Sequence, residues 1–430
     1  MKLTTKWNKH SDKIRIQGKE LNVGIKSIKE KNDWRDLGFK ISQFCKSEKI
    51  KGLTITDVDL NSNEFLEGLY LGEYHFSMKK INKNKNVEFT FNPKEDVNTF
   101  DFIDFTSKIR EKIMAQNLTK DIVNTPPNIS NSKYIVKKVK KIFKNIDVKV
   151  YSEKELNKLN MNGHLAVNAA SENKAVVIKL TYTPKKYDKH HVYVGKGLTY
   201  DSGGYSIKPT NSMLSMQADK SGAMVLLGFM SYVENNGANQ KITAYLSIAE
   251  NMINSKGFRP GDILTMKNGM TVNIKNTDAE GRLVLFDGLC LAQEENKDIS
   301  TITTIATLTG AAVYQFGDEV AALVSFNNKL KKKIKKAGKK TGEIFMNAEF
   351  HKYMLDGVDD KVADLSNIGT PNMGCQKAGL FLSKAITKKN KSKFIHWDIA
   401  GPSWIEKPFG TNTIGGTGFG VRTLIKLYCE

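Results

Sequence analysis

Nothing in this chain reads as a covalent staple or a membrane anchor. Its four cysteines, Cys45, Cys290, Cys375 and Cys429, lie far apart in 430 residues and show no Cys-x-x-Cys spacing. That argues against a disulfide framework and leaves free thiols, mostly packed inside. No window approaches the roughly 18 consecutive apolar residues of a membrane span. Met1 to Lys19 mixes Lys, Thr, Asn and Asp where a secretory signal needs an apolar stretch. The expectation is a cytoplasmic protein with no membrane partner. Internal repeats and Pro- or Ser-rich low-complexity linkers are also missing.

Acid is in short supply relative to base, and the formal net charge is +21. Such a charge suits a polyanionic partner, because lysines that neutralise phosphates release counterions. The distribution argues otherwise. The excess is almost all Lys, spread along the chain with runs at Lys137–Lys144, Lys329–Lys340 and Lys388–Lys393. In the middle run Leu330, Ile334 and Ala337 recur at helical spacing, so the lysines read as the wet face of an amphipathic helix. No aromatic-rich strand motif of the RNA-binding type accompanies them. Nucleic acid is a possible partner but not the favoured one.

A chain of 430 residues exceeds the usual ceiling for a single core, so two domains are expected. Short apolar runs at Leu21–Ile25, Leu53–Ile55 and Val87–Phe91 predict a small N-terminal α/β domain over residues 1–120. It closes with a helix from Asp96 to Asn124, whose apolar stripe is Phe102, Phe105, Ile109 and Ile113. Asn124-Thr-Pro-Pro127 stops that helix. Residues 121–430 then alternate strand candidates with helical stretches, the strands falling at Ala175–Leu180, Val192–Val194, Lys241–Ile248, Thr301–Ala306 and Phe394–Trp397. This pattern predicts a larger α/β catalytic domain with a mixed central β-sheet flanked by helices. Glycines gather at the strand ends, where open α/β sheets bind their ligands.

Two segments concentrate chemistry: Val194 to Pro209, which holds Lys196, Asp201 and Lys208, and Asn276-Thr-Asp-Ala-Glu-Gly-Arg-Leu283. On an extended backbone Asp278 and Glu280, two apart, would point to one face. Like charges converging in a partly buried site call for a cation between them. Asp219 follows eleven residues after Lys208, and four carboxylates suffice for two divalent ions. No His lies in either motif, so the predicted site is oxygen-rich, with Lys196 as an amine ligand only if its pKa falls. Two plainer readings stand beside this one. Gly195-Lys196 in a Gly-rich loop could cradle phosphate, although Gly-x-x-x-x-Gly-Lys-Ser/Thr is absent; Asp278 and Glu280 could be the solvated acids of a loop.

Both segments resemble the signature motifs of the leucyl aminopeptidases, a family of zinc-dependent exopeptidases. The resemblance extends to Val123–Asn128, Ala306-Thr-Leu-Thr-Gly310, His396-Trp-Asp-Ile-Ala-Gly401 and Thr417–Arg422, and so covers roughly residues 120 to 430. It implies a metal-dependent aminopeptidase that releases apolar N-terminal residues, Leu preferred, from peptides with a free N-terminus, in intracellular peptide turnover. By the same resemblance one metal ion is bound by Asp201, Asp278 and Glu280, and the other by Lys196, Asp201, Asp219 and Glu280. The two divalent ions, Zn or Mn, activate the attacking water. Lys208 stabilises the developing oxyanion. Arg282, with Gly281 and Leu308, holds a bicarbonate that shuttles protons. Met216, Thr307 and Gly310 line the pocket for the first side chain, and a homo-hexamer is implied. Two departures from the family pattern stand out. Lys220 follows Asp219 directly, and the stretch Asn367 to Cys375 is unlike the usual Gly-rich segment. Other function classes kept in view are a DNA-binding regulator and a two-metal phosphoesterase.

Overall fold

The computed structural model describes residues 2–58, 62–79, 87–370 and 372–430. It divides into two compact units, one of Met1–Asn117 with Glu406–Ile414, the other of Leu118–Ile405 with Gly415–Glu430.

In the first unit the chain runs through strands β1 (Lys2–Asn8), β2 (Ile14–Gln17) and β3 (Glu20–Gly24), helix α1 (Lys31–Ser47), strand β4 (Gly52–Val58), helix α2 (Asn63–Glu73) and strand β5 (Glu88–Pro93). The strands form one sheet in the order β2-β3-β1-β4-β5, parallel except for the β2–β3 pair. Leu21, Val23, Leu53 and Ile55 alternate inward along β3 and β4 and meet the apolar faces of α1 and α2. Helix α3 (Thr99–Asn124) runs across the division between the units. A buried ion triad helps set its place: Glu67 of α2 takes Arg35 of α1 at 2.8 Å and Lys112 of α3 at 3.0 Å.

The second unit continues with α4 (Ser132–Ile142), β6 (Asp147–Tyr151), α5 (Glu153–Lys158), α6 (Asn162–Asn168), β7 (Val176–Tyr182), β8 (His190–Asp201), α7 (Thr210–Met213), α8 (Ser221–Asn236), β9 (Lys241–Asn251), β10 (Ile263–Thr265) and β11 (Thr271–Asn273). After these come α9 (Gly281–Glu295), β12 (Thr301–Ala306), α10 (Gly310–Phe316), β13 (Val320–Val324), α11 (Asn328–Thr341), β14 (Ile344–Asn347), β15 (Leu365–Ser366), α12 (Gly374–Lys384), β16 (Phe394–Asp398) and α13 (Val421–Tyr428). Eight strands make the main sheet, ordered β14-β13-β16-β12-β8-β9-β7-β6. The central four, β16, β12, β8 and β9, run parallel, and antiparallel pairing begins at β13 on one side and β7 on the other. The sheet is therefore mixed, as predicted. A parallel block needs both faces covered, and the strands show it: ten consecutive residues of β8 are buried, and so are all of β16.

The lysine run from Lys329 is helix α11, with Ile334 and Ala337 buried beneath it; Lys331 departs from the expected wet face, buried with its ammonium 2.6 Å from Glu349. Gly342 ends that helix in the left-handed conformation, φ 73°. Cys45, Cys290 and Cys375 are buried free thiols, and Cys429 is half-buried. Among the described residues no helix is long and apolar enough to cross a membrane.

Candidate metal centre

The centre is built at the C-terminal ends of the central parallel strands, where peptide dipoles and loop residues converge. Strand β8 carries Lys196 in its interior and Asp201 as its last residue. The chain then turns sharply through Gly203 and Gly204, both with positive φ. At Gly203 a β-carbon would stand 2.4 Å from the Ser206 carbonyl oxygen, so only glycine fits. This turn folds the amide of Gly203 back onto Asp201 Oδ1 at 2.9 Å and brings Lys208 round to face the strand end. Asp219 sits on a single 3₁₀ turn, Met216–Lys220, that leads into α8. Asp278 and Glu280 precede α9.

Here the structure corrects the sequence reading. Asp278 and Glu280 do not share a face of an extended strand. Glu280 is the helical N-cap of α9, with φ −76° and ψ −36°, and Asp278 lies in the turn before it. A chain reversal, not a pleat, makes their carboxylates converge, and it also places the Glu280 charge at the favourable positive end of α9.

The side chains form two linked groups. Lys196 Nζ lies 2.8 Å from Asp219 Oδ1, 2.9 Å from Glu280 Oε1 and 3.1 Å from the Thr307 carbonyl oxygen, to which it donates. Lys208 Nζ lies 2.9 Å from Asp201 Oδ2 and donates to Asp278 Oδ1 in a short contact. Oxygens of Asp201, Asp278 and Glu280 come within 4.8 Å of one another, close enough to share an ion. Asp219 joins them through the ammonium it shares with Glu280. Asn251, at the end of β9 beside Asp201, is fully buried and donates to Asp201 Oδ1 at 2.8 Å and to the Thr277 carbonyl at 3.1 Å. It thereby ties the two chemistry-bearing segments together. Asn251 and Thr277 carried no functional reading in the sequence; each is one polar residue among many, distinguished only by where the sheet puts it.

Four carboxylates face two ammonium groups, which leaves the cluster anionic. Burial pushes the Glu280 carboxyl up to about 8 and the Asp278 carboxyl up to about 6, and the neighbouring Asp201 charge adds to both shifts. Burial also raises Asp219. For Lys196 burial works the other way, yet Asp219, Glu280 and Asp201 outweigh it and lift the ammonium well above its ordinary value. The fall in its pKa that an amine ligand requires is therefore not a property of the protein alone; it needs a competing cation. The cluster fits one. Among the described residues Asp219 Oδ2 and Glu280 Oε2 are buried without a hydrogen-bond partner, and an unpartnered buried carboxylate oxygen is costly unless a cation claims it.

The other expected residues flank this cluster. Thr307 donates its hydroxyl to Asp219 Oδ1 at 2.7 Å. Arg282, in the first turn of α9, donates from Nη1 to the Asn367 carbonyl at 2.7 Å, and its buried Nε has no partner among the described residues. Gly281 lies directly against the Lys196 side chain. The Leu308 amide donates to Asp398. Met216 is half-buried and Gly310 exposed. Lys220 is fully buried and donates to the Gln217 carbonyl at 2.7 Å; burial pulls its pKa down to about 7. In the Asn367 to Cys375 stretch, Pro371 lies outside the described residues.

The mixed α/β sheet thus assembles at its parallel strand ends an oxygen-rich, carboxylate-dominated cluster of the kind that suits divalent ions. Residues 117–425 match the catalytic-domain model of the cytosol aminopeptidase family. The chain is 40% identical over 320 residues to a protein of Helicobacter hepaticus named "Probable cytosol aminopeptidase", covering 73% of this chain and 67% of that one. A Campylobacter jejuni protein of the same name is 37% identical over 390 residues, 88% of this chain and 80% of the relative. Among solved structures, the bottromycin maturation enzyme BotP superposes with a TM-score of 0.85 at 26% identity, covering 95% of this chain and 89% of that one. BotP in complex with Mn gives 0.89 at 24% identity, covering 99% and 98%. The chain belongs to the cytosol aminopeptidase family and is a metallo-aminopeptidase.

Proposed function

We propose that this aminopeptidase removes apolar N-terminal residues, leucine foremost, from peptides in intracellular turnover, and that it does so with two divalent ions. The observation that carries the reading is the cluster of four carboxylates and two amines in which buried oxygens of Asp219 and Glu280 lack partners. Asp201, Asp278 and Glu280 would hold one ion, and Lys196, Asp201, Asp219 and Glu280 the other. Bound there, the ions supply Lewis acidity and lower the pKa of water by several units. Zinc and manganese both suit oxygen ligands with one amine, and the Mn complex of BotP supports manganese.

The chain's own groups do the rest. Lys208, held by Asp201 and Asp278, presents an ammonium whose pKa those carboxylates and Glu280 raise despite burial, so it stays charged. A fixed positive charge there stabilises the oxyanion that forms on the scissile carbonyl. A free α-amine could serve as a further ligand to an ion held there, whereas an acylated one could not, which favours a free N-terminus over a blocked one. Arg282, with a buried donor to spare, supports a bicarbonate site that moves protons between water and leaving amine. The Leu308 amide is already engaged by Asp398, so Arg282 carries most of that reading. Met216, Thr307 and Gly310 stand on the segments beside the cluster and are the proposed lining for the first side chain. A cytoplasmic homo-hexamer completes the proposal.

The test is hydrolysis of leucyl-p-nitroanilide beside its N-acetylated counterpart, with metal-stripped enzyme and with Mn or Zn restored. Metal-dependent release from the free-amine substrate alone is the expected result. Equal release from both, or release that ignores the metal, overturns the proposal.

A further inference from the structure

Asp398 has no part in the mechanism above, although it stands in the late-strand motif His396 to Gly401. It closes strand β16, in register with Ala306 at the end of β12, and is fully buried. Its oxygens are committed to the turn that follows β12: Oδ1 accepts the Leu308 amide at 3.1 Å, and Oδ2 accepts the Thr309 hydroxyl at 2.7 Å. The Ala400 amide also reaches Oδ1, at 3.2 Å. The Cys375 thiol sits against the same carboxylate and is raised far above its usual pKa by burial and by that charge.

The clamped turn is the one that touches the centre. Its Thr307 carbonyl accepts Lys196 Nζ at 3.1 Å, and its Thr307 hydroxyl donates to Asp219 Oδ1 at 2.7 Å. A buried carboxylate is an expensive way to hold a loop that apolar packing could hold. It offers something packing does not: two acceptor oxygens that fix two successive residues, Leu308 and Thr309, immediately after the one that meets Lys196 and Asp219. Its charge also favours the charged form of Arg282 nearby, which burial opposes.

We propose that Asp398 is a positioning residue for the metal centre, clamping Leu308 and Thr309 so that Thr307 holds Lys196 and Asp219 in ligand geometry. The inference rests on the proposed roles of Lys196 and Asp219. Its test is the near-isosteric Asp398→Asn, which keeps one acceptor and loses the other together with the charge. Intact wild-type and variant proteins are titrated with Mn²⁺ by calorimetry, and Mn²⁺ activation of leucyl-p-nitroanilide hydrolysis is followed in parallel. The expected result is a Mn²⁺ midpoint moved roughly 10–100-fold upward in both readouts, as losing a group that orients a ligand does, with excess Mn²⁺ recovering turnover. A variant that melts lower but keeps the wild-type Mn²⁺ midpoint overturns the proposal, because a merely structural anchor behaves that way. If Asp398→Asn does not fold, Thr309→Ala, which takes the hydroxyl from Oδ2 and with it the cap on the Ala312 amide of α10, decides: a shift in the same direction supports the clamp, and an unchanged midpoint overturns it. Failure of the aminopeptidase reading looks different, since wild-type protein would then titrate with Mn²⁺ yet release no nitroaniline.

Discussion

Lys196 reaches Asp219 and Glu280 only because residue 281 has no side chain: a β-carbon on Gly281 would lie 2.4 Å from Lys196 Cε and 2.6 Å from Nζ. The lysine cannot swing aside, since its ammonium is pinned by both carboxylates and the Thr307 carbonyl. Gly281→Ala therefore strikes the centre while leaving α9 a better helix former at its first residue. A displacement near 1 Å at a reacting centre costs roughly 100-fold in rate. We expect kcat to fall by about that factor with the far-ultraviolet circular dichroism unchanged; wild-type turnover would show that Lys196 needs no fixed position.

Metal uptake should release protons. At neutral pH Lys196 carries its ammonium and Glu280, raised to about 8, is largely protonated. A divalent ion must displace those protons, so its affinity rises with pH across the window from about 6 to about 8. Calorimetric titrations with Mn²⁺ in buffers of different ionisation enthalpy measure the proton count directly. Heats that do not vary with buffer would contradict the ligand role of Lys196.

Lys208→Ala removes a charge needed mainly when the carbonyl becomes an oxyanion. The expected loss in kcat is roughly 100- to 1,000-fold, with a much smaller change in KM. Steady-state kinetics on leucyl-p-nitroanilide separates the two, and a rise in KM alone would reassign Lys208 to ground-state binding.

Glu280→Gln keeps the shape of a residue shared by both proposed ion sites and removes its charge. Turnover should vanish while the melting profile of the metal-stripped protein stays close to wild type, because burial already holds the Glu280 carboxyl largely neutral there and the amide is its near isostere. Near-normal activity would refute the two-ion assignment.

Acid stability is set partly elsewhere. Burial holds His164 and His190 down to about 4 and His396 down to about 3, so all three are neutral in the folded protein at pH 7. The unfolded chain protonates them near 6.5, so between about 6.5 and 4 it binds more protons than the native state. Their contribution is whole above pH 6.5 and is lost as the pH falls through that window, by up to ~1.4 kcal/mol per unit for each histidine. Urea unfolding at about pH 7 and about pH 5 should show the drop, and His164→Gln should shrink it.

The parts of this protein written in local sequence were legible. Thr301–Ala306 reads as a strand from its β-branched run and is one, and the helix ending at Asn124 stops where Pro126 and Pro127 forbid continuation. Most lysines of α11 were readable as a wet face because Ile334 and Ala337 keep helical spacing, whereas Lys331 is buried against Glu349, a partner on another segment. The residues of the centre were legible because two short Gly-rich segments carry most of them. Their geometry was not. The turn that brings Asp278 to Glu280 depends on α9 beginning at Gly281, which a local Asp-x-Glu pattern does not encode. The raised Lys196 ammonium and the roles of Asn251 and Asp398 depend on neighbours brought in from other segments of the chain, and no spacing rule reaches them.

The bonds around the centre join residues 50 positions apart for Asn251 and Asp201, 88 for Thr307 and Asp219, and 111 for Lys196 and Thr307. No short stretch of nascent polypeptide can present this constellation alone. It comes into being only when β8, β9 and β12 align, and such long-range parallel pairing is slow to form. Enzymatic competence is thus a late event in the chain's maturation, and during refolding it should trail the return of helix and strand.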